Sequence, residues 1–543
     1  MAQRATLSSD GGGSPHIIGG QTSALGYGQA EVLRRPGTVM THSRTLPRAI
    51  VAVVAILVII IAAWQISGAR AGLEIAKERV GTTPVTLYRP AGDATAPVVV
   101  IAHGFAGSRQ LMEPFAVSLA QSGYIALSFD FLGHGRNPRP MTGDVTREDG
   151  ATRAMVAQTL EIIAYARNLA GASGEVAVLG HSMASDIVVR AALADGRVDS
   201  TIAVSMFSRA VTPEEPRNLL MIVGEWEGFL SREALATLAT SHGPDVEAER
   251  TYGNFASGTA RRVELSDNVE HVSVLYSPQS LAAARDWLND VYGRTGVGPL
   301  DVRGPWIVLI LIGVVALGWP LASLLPGVPQ RASPKTVSPR RLAAIAVLPA
   351  VITPLALWPV PTAFLPVLVA DYLAVHFAVY GALTALMLWQ IGGLVTTYPS
   401  GRLLSAAGAA SAGLVLGLGL PLDLFVANYM PHPGRIPVLA ALAIGSVVFT
   451  LADQWLVRRP GAPWWLAVLT KLCLVGSLGI AVWLDLEELF FLLIIMPVIL
   501  LFFAIHGLAS RWIYGATGHP SVGGIATGIA FGWALGVTFP MLA

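Results

Sequence analysis

From residue 305 to its end the chain is a succession of apolar runs of about twenty residues separated by short connections. That is the length a helix needs to cross the hydrocarbon of a bilayer, and only helices or closed barrels satisfy their backbone polar groups there. The runs fall near 305–325, 342–360, 372–395, 404–427, 436–457, 464–484, 489–509 and 520–541, so a C-terminal membrane domain of about eight helices is expected over 305–543. The stretch 361–371 carries Pro361 and Pro366 and reads as a re-entrant or interfacial piece. Charged residues make up 13% of the chain, against roughly 25% in soluble domains. With a formal net charge of +1, nothing in the composition points to nucleic acid.

A further apolar run, Ile50 to Ile66, follows Arg44 and Arg48. It is long for the core of a signal peptide, although Ala69-Arg-Ala71 offers a cleavage site. A transmembrane signal anchor over 48–67 is therefore preferred to a cleaved peptide. Residues 1–47 are Gly/Ser-rich without periodicity and read as a disordered cytoplasmic N-terminus; Met40 is an alternative start of translation. Basic residues then alternate between connections. Arg34, Arg35, Arg44 and Arg48 precede the first run, Arg331, Lys335, Arg340 and Arg341 follow the second, and Arg402, Arg458, Arg459 and Arg511 occupy every second connection after that. The other connections hold Asp485, Glu487 and Glu488, with Arg435 as the exception. By the positive-inside rule the N-terminus lies in the cytoplasm and the region after the anchor lies outside, as expected of a multi-pass inner or cell membrane protein. The single cysteine, Cys473, rules out an intramolecular disulfide.

Residues 70–296 have the composition of a soluble domain, and strands alternate with helices as in a doubly wound α/β sheet. Leu73–Val80 and Pro84–Tyr88 form an opening hairpin. Buried strands follow at Pro97–Phe105, Tyr124–Phe131, Glu175–Gly180, Ser200–Met206, Leu219–Val223 and Arg262–Leu265. Gln110–Ser122, Ala151–Leu169 and Ala184–Ala194 have helical periodicity. At the end of one strand Gly180-His-Ser-Met-Ala184 turns abruptly into a helix, with small residues two positions either side of Ser182. A tight strand-turn-helix needs that spacing, and it leaves the serine hydroxyl projecting from the carboxyl edge of the sheet.

Taken with His103-Gly104-Phe105, Asp130-Phe-Leu-Gly-His-Gly-Arg136, Gly224-Glu-Trp-Glu227 and His271, this motif resembles the α/β-hydrolase superfamily, closest to its serine esterase, lipase and dienelactone-hydrolase-like members. The resemblance covers 73–293 and says nothing of the later runs. It implies Ser182 as nucleophile. His271, which follows a strand through Ser-Asp-Asn-Val-Glu, stands where the family places its base; His242 is the other histidine after Ser182 in this domain. The family acid, usually an aspartate three residues after the strand's glycine, maps to Glu227, and Glu225 is the runner-up. The oxyanion donors implied are the backbone N–H groups of Phe105 and Met183. His181 and His134 read as packing residues. Only about a dozen residues separate the strand ending at Met206 from the next, too few for a cap domain, so an open cleft roofed by the membrane surface or a membrane-domain loop is expected.

The reaction class implied is hydrolysis of a carboxylic ester or related acyl bond, on a substrate that includes lipids among its candidates, with no metal or organic cofactor. Acyl transfer to a lipid or cell-wall acceptor, and a transporter or sensor whose hydrolase-like domain only binds ligand, are the alternatives. Within the apolar runs two stripes of small residues, Gly524/Gly528/Gly532/Gly536 and Ser405/Ala409/Gly413/Gly417, suit close helix packing. Asp371, His376 and Asp423 fall toward the outer leaflet and Asp453 and His506 toward the inner one. Lys471 lies deepest and is a candidate to pair with an acid.

Overall fold

The computed structural model describes residues 45–92, 94–144, 148–330, 336–392, 394 and 400–543. The expectations placed on residues 1–44, including Met40 and the arginines at 34, 35 and 44, and on Arg331 and Lys335, lie outside the described residues. Of the first 46 residues only Thr45 and Leu46 are described, as the opening of helix α1 (Thr45–Gly68).

After α1 the chain forms β1 (Leu73–Val80), β2 (Thr83–Pro90), β3 (Ala96–Ala102), α2 (Glu113–Gln121), β4 (Ile125–Phe129), α3 (Arg153–Arg167), β5 (Ala172–His181), α4 (Met183–Ala194), β6 (Ser200–Val204), β7 (Leu219–Gly224), α5 (Gly228–His242), β8 (Arg261–Ser266) and α6 (Pro278–Tyr292). The eight strands make one sheet in the order β1-β2-β4-β3-β5-β6-β7-β8. The β1–β2 and β2–β4 pairs are antiparallel and the rest parallel. Because side chains alternate across a strand, successive valines of β3 serve opposite cores. Val98 and Val100 pack with Ile162 of α3 and Ile187 of α4. Val99 and Ile101 pack with Phe115 of α2 and Leu281 of α6 on the other face. The parallel strands therefore read as unbroken apolar runs, and their carboxyl ends converge where β5 meets α4.

The helical region comprises α7 (Gly304–Ala322), α8 (Pro339–Leu357), α9 (Ala370–Gln390), α10 (Gly401–Phe425), α11 (Ile436–Val457), α12 (Trp465–Leu484), the short α13 (Leu486–Leu489), α14 (Phe491–Thr517) and α15 (Pro520–Thr538). Among the described residues nine helices, α1 included, are long and apolar enough to cross a membrane, consistent with a multi-pass membrane protein. Residues 358–369 are irregular. Asp371 anchors them by accepting the N–H of Phe364 at 3.0 Å, and Leu368 N–H donates to the Pro540 carbonyl at 3.2 Å.

The two small-residue stripes behave differently. On α15 a Cβ at Gly528 would stand 2.6 Å from Val447 Cα, and one at Gly532 would stand 2.6 Å from Ala443 Cα, so this stripe seats α15 against the backbone of α11. On α10 a Cβ at Gly413 or Gly417 would meet nothing within 4 Å. These glycines face a shallow apolar groove beside Trp512, while α10 buries Ala406, Ala410 and Leu418 instead. The second stripe is thus not a packing seam.

The α/β sheet domain and the helices are joined by polar contacts. Arg136 pairs with Asp423 at 2.6 Å and donates to Asn428 at 2.9 Å. Arg435, the exception in the basic alternation, is fully buried and donates to the carbonyls of Gly133 (2.8 Å) and Phe539 (2.6 Å). Its charge is spent joining the two regions rather than marking a side of the membrane. The C-terminal residues add backbone bonds: Met141 N–H to the Met541 carbonyl at 2.8 Å and Met541 N–H to the Gly133 carbonyl at 2.9 Å.

Candidate active site

Ser182 sits between β5 and α4 with φ 55° and ψ −119°, a conformation costly for a residue with a Cβ. The turn is held by the Ser182 N–H donating to Val204 at 2.9 Å and the Ser182 carbonyl accepting from Ser185 N–H at 2.8 Å. Two glycines make room for it. A Cβ at Gly180 would collide with the Ala184 backbone, and one at Gly104 would stand 3.0 Å from Ser182 Cβ. The strain thus keeps the hydroxyl at the edge of the sheet, at the start of α4, where the unpaired N–H groups of a helix's first turn favour negative charge.

His271 reaches the site from the loop after β8. Its Nε2 lies 2.9 Å from Ser182 Oγ and its Nδ1 lies 2.6 Å from Glu227 Oε1. The second oxygen of Glu227 accepts the Gly224 N–H and the Ser205 hydroxyl, both at 2.8 Å. Burial pushes the Glu227 carboxyl up, but hydrogen bonds from His271, Gly224 and Ser205 outweigh it and hold the group below the ordinary glutamate value. A carboxylate here is fixed in ionisation and direction, so it orients the imidazole with Nδ1 protonated and leaves Nε2 to accept a proton from Ser182.

Ser182, His271 and Glu227 therefore come together in one hydrogen-bonded line. Glu225 stays outside it: its Oε2 accepts the Asn268 N–H at 2.9 Å on the exposed side of the loop. His242 ends α5 beside Tyr252, ring centroids 5.4 Å apart, and does not meet Ser182. Phe105 and Met183 both line the cleft with Ser182, and Met183 opens α4, where its N–H has no helical acceptor.

Three further histidines support the surroundings. His181 is buried, and its Nε2–H donates to the His271 carbonyl at 2.8 Å, fixing the loop that carries the base. Burial lowers its pKa to about 3, with the nearby His271 adding to the effect. His103 donates from Nδ1 to the Gly104 carbonyl at 2.8 Å and accepts Phe131 N–H at 3.1 Å, so it ties the Gly104–Phe105 turn to β4; burial lowers it to about 4. His134 donates to the Leu132 carbonyl at 2.8 Å and is lowered to about 3 by burial.

The cleft in front of Ser182 has a volume of about 610 Å³, within the range of small-molecule sites. One wall comes from the α/β sheet domain, with Phe105, Met155 and Phe207. The other belongs to the helical region: Leu368 of the irregular segment and Phe491 and Ile494 of α14. Phe491 stacks on Phe105 with ring centroids 4.4 Å apart. Two contributions escaped the sequence reading. Ser205 has no motif and acts only because the tip of β6 turns at φ 51° beside Glu227. The α14 residues lie far along the chain in a run that reads as membrane helix. Among the described residues no cluster of three or more His, Cys, Asp or Glu could hold a metal ion.

The model of the alpha/beta hydrolase fold family matches residues 97–286. Similar solved structures include a CIB-like hydrolase of Thermoplasma acidophilum (17% identity, covering 40% of this chain and 99% of that one, TM-score 0.31). A dienelactone hydrolase of Anabaena variabilis is similar at 18% identity, covering 41% of this chain and 98% of that one, TM-score 0.29. Est1E of Butyrivibrio proteoclasticus follows at 13% identity, covering 41% of this chain and 100% of that one, TM-score 0.28. No curated protein matches the chain. The family match, on a sheet of this order, identifies an α/β-hydrolase domain in this chain, followed by an all-helical region with several long apolar helices.

Proposed function

We propose that this protein is a membrane-bound serine hydrolase that cleaves a carboxylic ester, or a related acyl bond, through an acyl-serine intermediate. The observation that carries the reading is the unbroken line Ser182 Oγ–His271 Nε2 (2.9 Å) and His271 Nδ1–Glu227 Oε1 (2.6 Å). In the first step the Ser182 proton passes to His271 Nε2 as Oγ bonds to the acyl carbon. The resulting oxyanion is held by the N–H groups of Phe105 and Met183, each worth about 3 kcal/mol. The imidazolium then protonates the departing alkoxide as its bond to the acyl carbon breaks. Water repeats the sequence, giving its proton to Nε2 and releasing the acid with Ser182 restored.

The substrate class follows from the roof. A cleft closed by Leu368, Phe491 and Ile494 presents apolar surface next to the membrane helices, which suits an amphiphilic ester whose chain stays near the bilayer. The basic alternation favours an extracytoplasmic position for the domain. The test is fluorophosphonate labelling of the full chain. Labelling of the wild type and none of Ser182→Ala is expected; a folded wild type that stays unlabelled would remove the reading. For the side, Ser173→Cys, at the exposed start of β5, should react in intact cells with a membrane-impermeant maleimide.

A further inference from the structure

At the end of the helical region away from the hydrolase domain, α11, α12, α14 and α15 enclose a cavity of about 820 Å³. Its polar wall is unusual for a membrane helix bundle. Lys471 Nζ pairs with Asp453 Oδ1 at 2.6 Å and lies 5.9 Å from the ring centroids of both Phe449 and Phe503. Arg458 donates to Gln454 Oε1 at 3.1 Å and to Ser510 Oγ at 3.2 Å, both neutral groups. Arg511 stands on the same wall. Among the described residues neither arginine has a carboxylate partner. His506, 6% exposed, also lines the cavity, and its Nε2 has no hydrogen-bond partner.

Charge and shape together define an occupant. Lys471 pairs with Asp453, so the half-buried Arg458 and the exposed Arg511 face the cavity with guanidinium groups free to meet an anion at the membrane surface, beside the buried, unpartnered His506 Nε2. Guanidinium forks match the oxygens of phosphate, and basic pockets between transmembrane helices suit phospholipid head groups. Beside them the wall continues into Val468, Leu472 and Leu508, which are 53%, 60% and 47% exposed and face outward from α12 and α14. A ligand with an anionic head and an apolar chain would satisfy both halves.

We propose that this cavity binds a phosphate-bearing amphiphile, its head on Arg458 and Arg511 with His506 Nε2 as a further polar contact, and its chain along α12 and α14. The site is separate from Ser182 and does not depend on how that serine is used. The test is native mass spectrometry of the full chain released from phosphatidylcholine nanodiscs containing phosphatidic acid. The wild type should retain phosphatidic acid in preference to phosphatidylcholine. Arg458→Gln/Arg511→Gln should lower that retention about tenfold, and Arg458→Lys/Arg511→Lys, which keeps the charge, should preserve most of it. Displacement by added inorganic phosphate would support the same chemistry with the free anion as occupant, and resistance to it would support the lipid head group. Equal retention of the two lipids by the wild type would overturn the proposal. So would a Gln pair that retains phosphatidic acid as the wild type does, or a Lys pair that binds no better than the Gln pair.

Discussion

The two chambers of this molecule treat charge in opposite ways. In the cleft at Ser182 the one carboxylate of the line, Glu227, is matched by three donors, and each donor is held by something else in turn. In the cavity between α11 and α14 three cations face one carboxylate, and a buried histidine nitrogen has no partner. A polar network that is fully satisfied is rigid and ready to act on what enters it, whereas one with surplus charge is completed by what enters it. On the proposed readings, the difference separates a site for bond-making from a site for holding.

The largest way to break the contrast is to spoil the cleft's internal balance. Glu227→Gln should lower ester turnover by about 10⁴-fold, because the amide no longer fixes the imidazole tautomer, while Glu225→Gln should change it little. Steady-state kinetics on a soluble short-chain ester reads both, and equal losses would mean that the acid has been misassigned. Phe491→Ala opens the roof without touching the line. We expect kcat/KM on long-chain esters to fall about tenfold with acetyl esters almost unaffected, measured on a graded chain-length series.

Smaller effects test the joint between the regions. Arg435→Met removes the side-chain donor of the Phe539 carbonyl and one of the two donors of the Gly133 carbonyl, which keeps Met541 N–H, a loss of about 2 kcal/mol, to be seen as a lower Tm of the purified protein. A last test is one of pH. His103, His134 and His181 are buried with values depressed to about 4, 3 and 3, so the unfolded chain binds their protons more readily than the folded one. The stability they allow is complete above the ordinary histidine value of about 6.5 and declines as the pH falls toward 4, by at most about 1.4 kcal/mol per pH unit for each. Thermal unfolding between pH 7 and 4 should show that slope, and His134→Asn should flatten it.

Much of the hydrolase domain was legible because its signals are local. Apolar runs of strand length, Gly180 and Ala184 around Ser182, and the glycine-ended strand before Glu227 each announce a backbone shape from a few neighbouring residues. What was not legible depends on approach from a distance. The family's spacing after the strand's glycine favours Glu227 over Glu225, but only the structure shows which one turns inward toward Ser205 and Gly224. Arg435 looked like an irregularity of charge until its burial between Gly133 and Phe539 explained it. The α10 stripe of small residues carries the same pattern as that of α15, yet only the latter meets a helix backbone, because the pattern permits close approach without supplying a partner. Lys471 did signal its need for an acid, and Asp453, one helix earlier, supplies it.

The bonds between Met141 and Met541 have a consequence for how the protein is made. The hydrolase sheet leaves the ribosome early, but the residues that bond to the loop after β4, and the α14 residues that line its cleft, are synthesised near the very end. Contacts so widely separated along a chain form late. The hydrolase domain therefore spends most of biosynthesis with its serine exposed to an unfinished wall. A chain halted before α14 would carry Ser182 without this wall. The wall that Phe491 and Ile494 give the cleft is thereby added only as the last helices are made.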